Sequence, residues 1–154
     1  MIKPSRLDIE VVKAIRAPVP PSAIRELVRR AASLPEVRAR LPAGRTSVAY
    51  RLTGDEELRR LNRTYLQHDA VTDVLSFAGS GEHLGDVAVS WPEVVRQAAA
   101  FGHPETTELG LLCVHGLLHL LGWDHATQAG RREMSRLTVE ALRLSGLRPA
   151  ARRL

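Results

Sequence analysis

Between residues 115 and 125 the chain reads HGLLHLLGWDH, and the spacing of its three histidines constrains the fold more than any other feature. His115 and His119 stand four apart in an apolar stretch, which places both imidazoles on one side of a helix, one turn apart. Gly122 follows, and glycine is the residue that most readily takes the left-handed conformation ending a helix, so the chain reverses and returns His125 toward the pair. Three neutral nitrogens then converge on one point. Three protein ligands with an open fourth position is the arrangement of a catalytic zinc, whereas a structural zinc closes its shell with four ligands, mostly Cys. The expectation is one Zn2+ per chain held by His115, His119 and His125, although imidazoles also suit Ni, Cu and Fe.

The same spacing, HxxxHxxGxxH, belongs to zinc peptidases in which the residue after the first His is a Glu acting as general base. Here that position is Gly116, which has no side chain to take a proton. A zinc peptidase is therefore a minor alternative. Hydrolysis of another kind survives the loss, because a cation by itself lowers the pKa of its bound water toward ~7.

Two further segments accompany the histidines: LNRTYLQHDAVTDVLSFA from Leu61 to Ala78, and the triplet Leu84, Gly85 and Asp86. Together with HGLLHLLGWDH they resemble, in the same order, the motifs of the YbeY endoribonucleases, with Trp123 where Tyr is common. The resemblance spans residues 46 to 145. It implies zinc on His115, His119 and His125, cleavage of single-stranded rRNA at the 3′ end of the small-subunit molecule, and roles in rRNA maturation and ribosome quality control. The implied partners are that rRNA and the small ribosomal subunit, with a ribosomal protein or an assembly GTPase beside them. A non-catalytic assembly factor with a structural zinc is the alternative. The chain departs from the family pattern at Leu66, where the family has Arg, and at Val71 and Ala78, where it has Pro. Arg60 and Arg63, about one helical turn earlier, are candidates to restore the missing charge.

Composition fits a nucleic-acid partner without demanding one. At 154 residues and 44% hydrophobic content the chain is expected to form one domain, residues 1–154, ending in a basic tail over 147–154. Its net charge of +5 is uneven: the segment from Tyr65 to His125 holds Asp69, Asp73, Glu82, Asp86, Glu93, Glu105, Glu108 and Asp124 against Arg96 alone. Basic flanks around an acidic, metal-bearing middle suit the gripping of phosphates. No apolar run reaches membrane-spanning length and the N-terminus lacks a signal-peptide core, so a cytoplasmic protein is expected. The single cysteine, Cys113, forbids an internal disulfide and reads as packing.

Periodicity supplies the scaffold. Ser5 to Val12 reads as a strand, and Ile24, Leu27, Val28, Ala31 and Ala32 line one face of a helix opened near Pro21. Thr46 to Leu52 is a second strand. Thr53 and Glu56 have capping-box spacing before a helix with Leu58, Leu61 and Tyr65 on one side. Val71 to Phe77 and Leu84 to Ser90 form a hairpin around a glycine-rich loop. Ser90 and Glu93 cap a helix ending near Gly102, Pro104 opens the histidine helix, and Met134, Leu137, Ala141 and Leu142 mark a last helix stopping at Gly146. The fold class is α/β (α+β): a small mixed sheet of about four strands packed by about five to six helices, with the metal site at the end of a helix in the C-terminal half.

Several further residues invite roles. Asp124 is a candidate catalytic residue, as orienter of a ligand imidazole or proton acceptor, against the ordinary use of Asp as a helix cap. His68, His83 and His103 read as loop histidines in solvent, with His83 the one placed to face substrate. Trp123 reads as wall packing before base stacking. Asn62, Thr72, Asp73 and Ser76 form a polar network or bind phosphate.

Overall fold

The computed structural model describes residues 5–67 and 72–154. Its helix α1 (Pro21–Ala32) buries Ile24, Leu27, Val28, Ala31 and Ala32, the face that the sequence spacing marks, and begins on a proline whose missing N–H is unneeded there. Helix α2 (Pro35–Arg40) follows at once; its six residues bury only Val37, too few for a periodic signal. Strands β1 (Arg6–Lys13) and β2 (Arg45–Thr53) pair in parallel, and this two-helix crossover joins them. Helix α3 (Asp55–Leu66) leads to the hairpin of β3 (Val74–Ala78) and β4 (His83–Ser90).

The expected capping box at Thr53 is absent. Thr53 is the last residue of β2, where it pairs with Ser90, and Gly54 takes the cap position without a side-chain bond. Asp55, Glu56 and Glu57 complement the positive end of α3 instead. At the next helix, α4 (Trp91–Phe101), the sequence signal holds in half: Ser90 Oγ accepts from Glu93 N–H at 3.3 Å. The Ser90 N–H goes to the Asp73 carbonyl rather than to Glu93, and Ser90 Oγ donates to Asp55 at 2.7 Å.

The sheet runs β1-β2-β4-β3, with the first three strands parallel and β3 antiparallel at one edge. Against it lies α5 (Glu105–Leu120), which is buried almost throughout, from Thr107 to Leu118 apart from His115. The last helix, α6 (Gln128–Arg143), packs its Met134, Leu137, Ala141 and Leu142 into the same core. A 3-10 turn at Ala151–Arg153 ends the chain, so the segment expected to be a tail is docked structure. Among the described residues no helix is long and apolar enough to cross a membrane.

Two glycines let α5 sit this deep. A Cβ on Gly110 would fall 2.7 Å from Leu27 Cδ1 and 2.8 Å from Leu142 Cδ2; one on Gly116 would fall 2.6 Å from Val87 Cγ1 and 3.0 Å from Cγ2. Val87 is β-branched, 1% exposed and stiff about χ1, so it cannot swing aside. Gly116→Ala gains up to about 1 kcal/mol of helix propensity but overpacks the sheet, which typically costs about 1–3 kcal/mol. A net loss of about 1–2 kcal/mol is expected, read as a lower urea midpoint with unchanged slope. A variant as stable as the parent would show that α5 and β4 are not in this contact.

Candidate metal centre

His115 and His119 come from the last turn and a half of α5, where the helix leaves the core. The helix stops in a Schellman arrangement: Gly122 N–H donates to the His119 carbonyl at 3.0 Å, and Trp123 N–H to the Leu118 carbonyl at 3.0 Å. Gly122 has φ +96°, the left-handed turn anticipated from its residue type. Arg40 of α2 closes the same end, donating to the Leu121 carbonyl at 3.4 Å and stacking its guanidinium 3.7 Å from the Trp123 ring. Trp123 is 5% exposed, so it is wall packing and not a surface for a base.

This reversal brings His125 back over the helix end. Ring centroids lie 4.7 Å apart for His115 and His119, 5.2 Å for His119 and His125, and 5.7 Å for His115 and His125. One ligand atom from each falls within 4.8 Å of the others, close enough that modest side-chain rotation brings all three nitrogens onto one ion. The donor chemistry agrees. Burial pushes the imidazolium form of His115 down to about 4, helped by the neighbouring His119 and His125 and by the Arg153 cation. His119 is lowered too, by burial and by His125, with Asp124 acting in the opposite direction. Neutral imidazole is the form that binds a cation. His125 is exposed, so the assembled site opens to solvent on that side.

The three rings stand in a cleft of about 490 Å³ whose facing wall is Leu66, Thr72, Asp73, Val74, Leu75 and Ser76. An adjoining cleft of about 710 Å³ shares His115, His125, Leu111 and Arg153 and adds Gln128, Arg131 and Arg132 from α6. Of the residues marked as a polar network, Thr72, Asp73 and Ser76 reach the cleft, and Asn62 is buried on α3. Asp73 accepts from Gln97 Nε2 at 3.2 Å, while Ser76 Oγ donates to the Gly116 carbonyl at 3.3 Å and ties β3 to α5. Leu66 lines the wall, whereas Arg60 and Arg63 border a separate depression with Glu56, Glu57 and Arg59.

Asp124 neither caps α6 nor hydrogen-bonds an imidazole among the described residues. Its Oδ1 accepts from Ala126 N–H at 3.0 Å, and Thr127 caps the helix by accepting from Gly130 N–H at 2.9 Å. Cys113 is buried, its thiol pushed up to about 12. His83 is pinned between Ser47 Oγ at 2.8 Å and Asp86 Oδ1 at 3.2 Å, outside both clefts. His68 lies outside the described residues.

His103 is not a solvated loop residue. Its side chain is 3% exposed; Nδ1 accepts from Ala150 N–H at 2.9 Å, which leaves Nε2 to donate to Glu108 at 2.8 Å. Sequence reasoning also missed Arg153, which lines both clefts. No local pattern announces it, because its partner Glu108 is 45 residues away.

Comparison with known proteins bears on this arrangement. The family model described as Endoribonuclease YbeY matches residues 12–146. Curated relatives carry that name, among them one from Chloroflexus aurantiacus that is 44% identical over 124 residues, covering 73% of this chain and 79% of the relative. Another, from Roseiflexus sp. (strain RS-1), is 40% identical over 154 residues, covering 92% and 93%. The solution structure of TM1509 from Thermotoga maritima shares the fold, with a TM-score of 0.59, 22% identity and coverage of 87% of this chain and 89% of that one.

The depressed imidazoles fix the sign of a pH effect. In the metal-free protein the unfolded chain protonates His115 near 6.5 and the folded chain near 4. Between those values the unfolded state binds more protons, so stability is full above about pH 6.5 and falls as pH drops toward 4. His119 acts in the same direction. The urea midpoint of chelator-treated protein is expected to fall between about pH 7 and about pH 5, and His115→Gln should flatten that slope. Equal slopes in parent and variant would contradict the burial of this ring.

Proposed function

The chain belongs to the YbeY endoribonuclease family, and on that premise we propose that it is a zinc-dependent endoribonuclease that cuts single-stranded rRNA during maturation of the small ribosomal subunit. Residues 1–154 are read as a single domain, its main core drawn from β1, α1, α2, β2, β4, α4, α5 and α6, with Leu58 of α3 and Leu75 of β3 in a smaller cluster. The observation that carries the proposal is the convergence of His115, His119 and His125 at the mouth of a cleft open on one side. Gly116 faces Val87 and the sheet, so no side chain at that position delivers a base to the histidines, and peptidase chemistry by the usual route is unsupported.

A bound divalent cation would supply Lewis-acid charge to the phosphodiester as it is cleaved. The chain's own residues do the rest. Burial keeps His115 and His119 as neutral donors at physiological pH. The histidine cleft has an uncharged wall from Val74 to Ser76, and Arg131 and Arg132 line the adjoining cleft that shares His115 and His125, where an RNA backbone would leave the histidines. Asp124 holds the 124–126 turn that presents His125, and we assign it that positioning role in place of direct proton transfer. The partners are the rRNA and the small subunit that carries it, reached in the cytoplasm.

Two experiments test this reading. Purified metal-loaded protein is expected to cleave single-stranded rRNA, and His119→Ala to lose at least about 100-fold in rate along with its bound metal. A folded parent that holds zinc, unfolds on chelation and never cuts RNA would instead identify an assembly factor. For Asp124, replacement by Asn keeps an acceptor for the Ala126 N–H and is expected to retain most activity, whereas Asp124→Ala loosens the turn and weakens metal retention about 10-fold or more. Equal loss in both variants would restore the proton-transfer role.

A further inference from the structure

The C-terminal turn is fastened to the metal-bearing helix from beneath. Arg153 Nε lies 3.0 and 3.2 Å from the two Glu108 oxygens, and Nη2 lies 2.9 Å from Oε2. Nη2 also reaches Gln97 Oε1 at 3.1 Å, and the guanidinium sits 5.0 Å over the Phe101 ring. Glu108 is completely buried, and its Oε1 also receives the His103 bond, while His103 in turn holds the Ala150 N–H. The Arg153 side chain is thus fixed on two edges and one face while remaining 18% exposed.

That exposed part lines both clefts, beside His115 and His125. Among the described residues no acceptor is paired with its third nitrogen, Nη1. A guanidinium already held by a carboxylate loses little rotamer entropy on a new contact, and a planar donor edge is the shape that matches a phosphate. Among the described residues the facing wall offers no cation: its charged residue is Asp73, 3.9 Å from Nη2, and Leu66 is apolar. Among the described residues Arg153 is also the only cation that lines the cleft where all three histidines stand.

We propose that Arg153 is a phosphate-binding residue of this site, its free guanidinium nitrogen contacting a backbone phosphate of the RNA next to the three histidines. The inference rests on the RNA-cleaving reading, and extends it by giving the C-terminal turn a part in substrate binding.

The test measures binding of a fluorescent oligouridylate to metal-loaded protein by anisotropy, within the first turnover, at several salt concentrations. Arg153→Met keeps the apolar stem against Phe101 but removes the charge. It is expected to weaken binding about tenfold. The slope of log affinity against log salt should become shallower by about 0.7, the value of one phosphate contact on a single strand, with metal content unchanged. If the orphaned Glu108 carboxylate prevents folding, the pair Glu108→Gln/Arg153→Met removes both charges and is read the same way. Arg152→Met is the control, since Arg152 is exposed, donates to the Ala100 carbonyl and lines neither cleft. A lowered unfolding midpoint with affinity and salt slope equal to the parent's would reduce Arg153 to a structural tie and overturn the proposal. A parent that cleaves RNA while the variants bind like it sinks this inference alone; a parent that neither binds nor cleaves RNA sinks the functional reading with it.

Discussion

Everything at the site follows from the depth at which α5 is held. A helix that is apolar on nearly every side has no solvent face to choose, so the sheet, α1, α4 and α6 all close on it. That closure is possible where Gly110 and Gly116 remove the atoms that would otherwise collide. Burial ends abruptly at the last turn, where Gly122 reverses the chain. The three histidines that could hold a metal ion sit on that boundary, with His115 half inside, His119 nearer the surface and His125 outside. The gradient has a chemical effect: the inner rings are desolvated enough to stay neutral, and the outer one leaves an approach from solvent.

Against this apolar background the buried carboxylate of Glu108 is an expensive exception. An isolated charge there would cost several kcal/mol, and the structure offsets it with the His103 N–H and the two-pronged contact from Arg153. A hydrophobic pair of similar volume would be at least as stabilising. What the ionic pair adds is placement, since it ties the end of the chain to the helix that carries His115 and His119 and leaves a cation at the cleft. The Phe101 ring under the guanidinium and Gln97 beside it narrow that placement further.

How much of this was legible in the sequence depends on the range of each interaction. Local signals carried the face of α1, the Ser90 cap, the hairpin and the left-handed Gly122, since each is set within a few residues. The same locality produced the errors. Thr53 and Glu56 have the right spacing, but strand pairing with Ser90 takes Thr53 away, so tertiary pairing won over a local cap. Helix α2 is too short to show a period. His103 looks like a loop residue until Glu108 and Ala150 enclose it, and Arg153 looks like tail until it meets a partner far back in the chain. Arg60 and Arg63, favoured by proximity in sequence to Leu66, border a different surface because they lie on another side of α3.

Gly116 shows why a ligand spacing alone does not name a reaction. HxxxHxxGxxH fixes where three imidazoles go, and the local geometry required for that was readable. Which residue serves as their chemical partner depends on how the helix is rotated against its neighbours. Here the position after the first histidine is pressed on Val87, with its carbonyl bonded to Ser76, so the helix presents its bare backbone to the sheet. A glutamate could not be accommodated there without pushing α5 off β4. Charge beside the histidines therefore has to arrive from other elements, and among the described residues Asp73 at the start of the hairpin and Arg153 at the end of the chain are the charged groups that the fold brings to that cleft. The cleft thus combines a long-range cation with a locally encoded set of imidazoles, a charge arrangement that suits an anionic backbone better than a neutral peptide bond.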